Sequence, residues 1–108
     1  MERWGYQERA PEIAALVREM LAATSPAGYA GCCEAIAGLD LRPDLPLVTA
    51  PALLLAGSED PSAPPAVARE LAATMPDAQV TVIDGAAHLV NVEAPTATTE
   101  AILEHLRR

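Results

Sequence analysis

Apolar and polar positions recur along this chain with two different periods. Between Pro11 and Thr24, Ile13, Leu16, Val17, Met20 and Leu21 fall at i, i+3, i+4, i+7 and i+8. That spacing predicts an amphipathic helix with one apolar stripe. "TSPAG" interrupts it. Ser25 is placed to cap a second helix, with Pro26 at its first position, running through "AGYAGCCEAIAGL". The next stretch, "DLRPDLPLVTAP", contains three prolines and is expected to be an extended connection.

From Ala52 the period changes. "ALLLAG", Ala52 to Gly57, is a short unbroken apolar run bounded by proline and glycine, the mark of a strand covered on both faces. A loop, "SEDPSAPP", leads to a helix over Pro64 to Met75 with Val67, Leu71 and Met75 on one stripe. "PDAQ" turns the chain, and "VTVID" predicts a second strand whose Thr81 and alternation place it near a sheet edge. After a loop holding His88, "PTATTEAILEHLRR" predicts a last helix, with Pro95 in its first turn and arginines at the negative end of its dipole. The order strand, helix, strand, helix makes the two strands parallel with a right-handed crossover. Two parallel strands alone are not a stable sheet in water. The sheet is therefore expected to be completed by another copy, another chain, or the rest of a larger domain.

The length of 108 residues bounds the chain to one small domain, and a hydrophobic fraction of 51% argues for a packed one. With no phenylalanine, the core must come from Leu, Ile, Val, Met and Ala. A net charge of −8 argues against nucleic-acid and anionic-membrane partners. No apolar run approaches the roughly 18 residues of a spanning helix. "MERWGYQERAPE" lacks the apolar core of a signal peptide. The two cysteines, Cys32 and Cys33, are adjacent and form no disulfide framework, so a reducing, cytoplasmic location is expected. No set of His, Cys and carboxylates stands at metal-ligand spacing, so no metal is expected.

Ligands of open parallel sheets bind beyond the carboxyl ends of the strands. Two loops leave those ends here. One carries Asp60, three residues after Gly57, and the other carries His88, three residues after Gly85. On neighbouring strands the two face each other, the geometry in which a carboxylate holds an imidazole in one tautomer and stabilises the imidazolium. Asp60 and His88 are the candidate catalytic residues. Glu59, one position off that spacing, is a weaker candidate for the acid and is expected to point to solvent. Ser58 and Ser62 are expected to satisfy loop or helix-start amides, Glu93 to order the turn into the last helix, and His105 to face solvent. Trp4, Tyr6 and Tyr29 are expected to pack, and Arg42 is a minor candidate to pair with a substrate carboxylate.

These loops carry a family resemblance. "AGSEDPSAPP" resembles the acid loop of α/β-hydrolases, with Gly57, Asp60 and Pro64 in a Gly-x-x-Asp-x-x-x-Pro pattern. "DGAAHLVNVEAP" resembles their histidine loop, with Gly85, His88, Glu93 and Pro95 in place. The order acid then base agrees as well. "LAATSPAGYAGCCEAIAGLDLR" followed by the two loops is similar to 3-oxoadipate enol-lactonases, the Gly-Tyr-x-x-Cys-Cys segment being its most specific part. The resemblance runs from about Ala10 to Leu106.

The fold class it implies is α/β: the C-terminal part of an α/β-hydrolase fold, two parallel strands with flanking helices, preceded by helices from the cap. Residues 1–45 would be a helical cap remnant, and 46–108 the βαβα part of the core with the acid and histidine loops. Cys32 and Cys33 would then be small buried apolar residues of the cap. The resemblance also implies hydrolysis of 3-oxoadipate enol-lactone to 3-oxoadipate, in the breakdown of aromatic compounds, with no metal or organic cofactor. The family's nucleophile is a serine in a Gly-x-Ser-x-Gly elbow, and Ser25, Ser58 and Ser62 sit in no such elbow. The chain is therefore expected to be inactive alone, its partners being a small lactone or ester and either the upstream half of the hydrolase or a second copy joined through the incomplete sheet. The alternatives are another esterase or lactonase of the same fold, and an inactive remnant or interaction module.

Overall fold

The protein, seen in a computed structural model, is described over residues 10–108. Trp4 and Tyr6 lie outside the described residues. Helices α1 (Pro11–Ala22) and α2 (Pro26–Ala37) lead through a 3-10 helix (Arg42–Leu47) into β1 (Ala52–Gly57). Then follow α3 (Pro65–Ala72), β2 (Ala78–Ile83), the single-turn α4 (Val90–Glu93) and α5 (Pro95–His105). Strands β1 and β2 pair in parallel, in register from Ala52 opposite Ala78 to Gly57 opposite Ile83. Helices α3 and α5 both pack against both strands. The expected parallel strand–helix–strand–helix unit is present.

Local chemistry explains the element starts. Proline opens α1, α2, α3 and α5, where its fixed φ suits a helix and its missing N–H is not needed. The Ser25 hydroxyl accepts from the Gly28 amide at 3.3 Å, the cap expected there. β2 begins at Ala78, so the turn before it is shorter than the "PDAQ" expected.

The stretch expected to be extended is instead wound into the 3-10 helix. Asp40 starts the turn by accepting from the Arg42 amide at 3.1 Å. Pro43 and Pro46, three residues apart, then match its three-residue period with the φ that proline fixes. Proline count alone does not distinguish this winding from an extended segment, because both use similar φ values.

The packing departs from expectation where cover is thin. Of the α1 stripe, Ile13 and Val17 join buried Ala14 against Ala87 and Leu89 of the histidine loop. Leu16, Met20 and Leu21 stay exposed. Every residue of α2 is exposed, Cys32 and Cys33 included, so the expected burial of the cysteines and packing of Tyr29 are not found. No described element covers that helix. In β1 only Ala56 and Gly57 are buried and Ala52 to Leu55 are half-buried, short of the two-sided cover expected. His105, expected in solvent, is half-buried. Its Nε2 lies 3.3 Å from the Pro51 carbonyl because α5 runs back along the start of β1. Among the described residues no helix is long and apolar enough to cross a membrane.

Candidate active site

The two loops beyond the carboxyl ends of β1 and β2 are joined as closely as the strands themselves. The Ser58 amide donates to the Ile83 carbonyl at 3.0 Å, and the Glu59 amide to the Ala86 carbonyl at 2.9 Å. The parallel ladder thus continues past the last paired residues. The Ser58 hydroxyl accepts from the Gly85 amide at 2.9 Å, fulfilling the amide-satisfying role expected of it. Gly85 takes φ +67, the left-handed conformation that releases β2 into the loop. At Gly57, a Cβ would fall on the backbone carbonyls of Ala86 and Ala87, so only glycine lets the loops approach this far.

This junction brings the two candidates together. Asp60 Oδ2 lies 2.8 Å from His88 Nδ1. The other carboxylate oxygen, Oδ1, accepts from the amides of Ser62 at 2.8 Å and Ala63 at 3.1 Å. The Asp60 side chain is 6% exposed. Burial by itself would raise its pKa. The hydrogen bonds from His88, Ala63 and Ser62 and the attraction of the imidazole outweigh that and hold the carboxyl below its ordinary value. An ionised Asp60 makes Nδ1 the protonated nitrogen of a neutral His88. The imidazole side chain is 57% exposed, and Nε2 stands on the ring edge away from Asp60.

The histidine loop is held from behind by a buried carboxylate. Glu93 Oε2 accepts from the Ala87 amide at 2.6 Å and Oε1 from the Leu89 amide at 2.8 Å. Helix α4 makes this possible, since the Leu89 carbonyl accepts from the Val92 and Glu93 amides and folds the chain back under His88. Thr98 then ties α5 to that turn through the Val90 carbonyl at 2.9 Å. The sequence reading assigned Glu93 only to the turn before α5 and did not foresee its hold on both neighbours of His88. The available signal was one acid in the otherwise uncharged run "LVNVEAP".

On the other side of the histidine, α1 forms the wall of a groove of about 520 Å³. Val17, Met20 and Leu21 face Leu89 and Val92 across it, and among the described residues His88 is its one ionisable lining residue. A second cavity of about 300 Å³ between β1 and α3 also reaches Asp60 and His88. Arg42 lies elsewhere, beside Leu39 and Leu45. Its guanidinium is paired with Asp40 at 2.8 and 2.6 Å. The same fork pulls the Asp40 carboxyl down to about 2. Glu59 is exposed, as expected. Among the described residues no cluster of three or more His, Cys, Asp or Glu could hold a metal.

Known proteins resemble this chain over nearly its whole length. It is 37% identical to 3-oxoadipate enol-lactonase 2 of Acinetobacter baylyi over 98% of its own length and 40% of that protein's. Among solved structures, it matches the enol-lactonase of Burkholderia xenovorans with a TM-score of 0.91 and 38% identity, over 98% of this chain and 42% of that one. It matches a thermophilic esterase from Thermogutta terrifontis with a TM-score of 0.92 and 34% identity, over 98% and 40%. The chain thus spans about two fifths of the length of these relatives. Residues 2–101 match the Alpha/beta hydrolase family. With two parallel strands, flanking helices and a carboxylate and an imidazole joined at the strand ends, this chain belongs to the alpha/beta hydrolase family.

Proposed function

We propose that these residues supply the acid and base of a serine hydrolase that opens a small ester or lactone, 3-oxoadipate enol-lactone being the first candidate. The observation that carries this reading is the 2.8 Å contact between buried Asp60 and the Nδ1 of half-exposed His88. A serine attacks the carbonyl carbon while His88 Nε2 takes its proton. Asp60 stabilises the imidazolium, which returns the proton to the departing enolate or alkoxide oxygen. Water, activated by the same nitrogen, then cleaves the acyl-enzyme and releases the acid. In this reading residues 1–45 belong to the cap and 46–108 to the core, in a cytoplasmic enzyme of aromatic-compound breakdown. The nucleophile and oxyanion hole come from the remainder of the hydrolase.

The groove favours a second reading of the substrate. A wall of Val17, Met20, Leu21 and Leu89 suits an apolar acyl or alkyl group better than a carboxylate, which supports a simple ester. The test fuses these 108 residues behind the part of the Burkholderia xenovorans enol-lactonase that they leave unmatched. Opening of the enol-lactone faster than of uncharged p-nitrophenyl esters supports the first reading, and the reverse order supports the second. A folded fusion that turns over neither overturns both.

A further inference from the structure

We propose that Glu93 is a positioning residue for His88, so that the base is aimed through its own backbone. This rests on the reading of His88 as the base. The imidazole is 57% exposed, so packing does little to hold its direction. What remains are two polar holds. Asp60 grips Nδ1, and the Glu93 carboxylate grips the loop before and after His88, through the Ala87 amide of the Ala86–Ala87 peptide and the Leu89 amide of the His88–Leu89 peptide. Two acceptor oxygens on one rigid group fix two peptide planes at once, and hydrogen bonds to a carboxylate are about twice as strong as neutral ones. One of these planes adjoins His88 and the other lies one residue before it, so together they limit the backbone that carries the His88 Cα–Cβ bond, and the direction of that bond decides whether Nδ1 meets Asp60 while Nε2 points outward.

The device is internally consistent. Glu93 is buried and sits one helical turn beyond Leu89, and the Glu93 amide donates to the Leu89 carbonyl at 2.9 Å. Leu89 is therefore bound to Glu93 through both its N–H and its C=O. On the far side, Ala87 is packed against α1 at Ala14. Glutamine in place of Glu93 keeps the shape but has one acceptor oxygen and one donor NH2, so one of the two amides is left facing a donor.

The chain has two histidines, His88 and His105, so ring-selective 15N labelling of the 108-residue protein resolves both. The proposal expects a slowly exchanging, low-field Nδ1 proton on His88 in the parent chain. In Glu93→Gln that proton is lost, the Ala87 and Leu89 amides exchange faster, and the amides of β1 and β2 stay protected. Persistence of the low-field proton in Glu93→Gln overturns the proposal. So does its absence from the parent. Loss of strand protection together with the proton makes Glu93 a residue of the fold at large and overturns it as well. The signal needs neither nucleophile nor substrate. A folded fusion without turnover removes the base that Glu93 would aim but leaves its hold on the His88 ring measurable, and failure here leaves the hydrolase reading standing.

Discussion

The carbonyl oxygen of Ala87 occupies the space where a side chain on Gly57 would begin. The end of the acid-bearing strand and the residue before the histidine are thus in direct backbone contact. The Asp60–His88 pair is built on this approach. Gly57→Ala must push the histidine loop away, because the obstructing atoms are backbone. We expect a loss of about 1–3 kcal/mol in stability, the range for overpacking. A shifted His88 ring signal should accompany it, read by denaturant melts and NMR. An unchanged melt and ring signal would contradict the close approach.

Asp60 predicts the acid limb of stability. Its carboxyl is held below the ordinary value of 3.8 in the folded chain. Its contribution is therefore complete above that value. It is lost as pH falls below it and through the lower native pKa, where the folded state takes up the proton. Melts between about pH 6 and about pH 3 should show this loss in the parent and a flatter acid limb in Asp60→Asn. Equal slopes in the two would remove Asp60 from the account.

The same substitution separates orientation from presence. In the fused enzyme, Asp60→Asn leaves His88 in place but favours the wrong tautomer. By analogy with serine proteases, kcat should fall by up to about four orders of magnitude, with KM little changed. A kcat within about threefold of the parent would place the acid elsewhere.

Much of this was legible in advance, for physical reasons particular to each element. "ALLLAG" read as a strand because an unbroken apolar run flanked by turn residues has few other uses, "VTVID" because of its alternation, and the helix between them made the two parallel. Asp60 and His88 were legible because each follows a glycine near a strand's carboxyl end by three residues and the strands are parallel neighbours; the register itself sets Gly57 opposite Ile83, so the histidine loop is two residues longer than equal spacing suggested. Glu93 was not, since its partners are backbone amides, which carry no residue code. The exposure of Leu16, Tyr29, Cys32 and Cys33 was not legible either. Periodicity reports which face of a helix is apolar, while burial depends on what lies against it.

That bare surface has a consequence in solution. Ile36 is 68% and Leu47 75% exposed, with Leu39, Leu41, Met20 and Leu21 also uncovered. Uncovered apolar surface drives association where it is extensive. Light scattering of the 108-residue chain should report a mass above the monomer, falling to a single complex when the unmatched part of the relative is added. A monodisperse monomer with a cooperative, high-temperature melt would show that these faces need no partner.

The central claim is that His88 moves the proton, and substitution in the fused enzyme tests it most directly. His88→Ala should remove turnover of lactone and ester alike, while His105→Ala, at the Pro51 carbonyl and away from the groove, should leave it nearly unchanged. Turnover that survives His88→Ala in a folded fusion would contradict the reading of these two loops as the acid and base of a serine hydrolase.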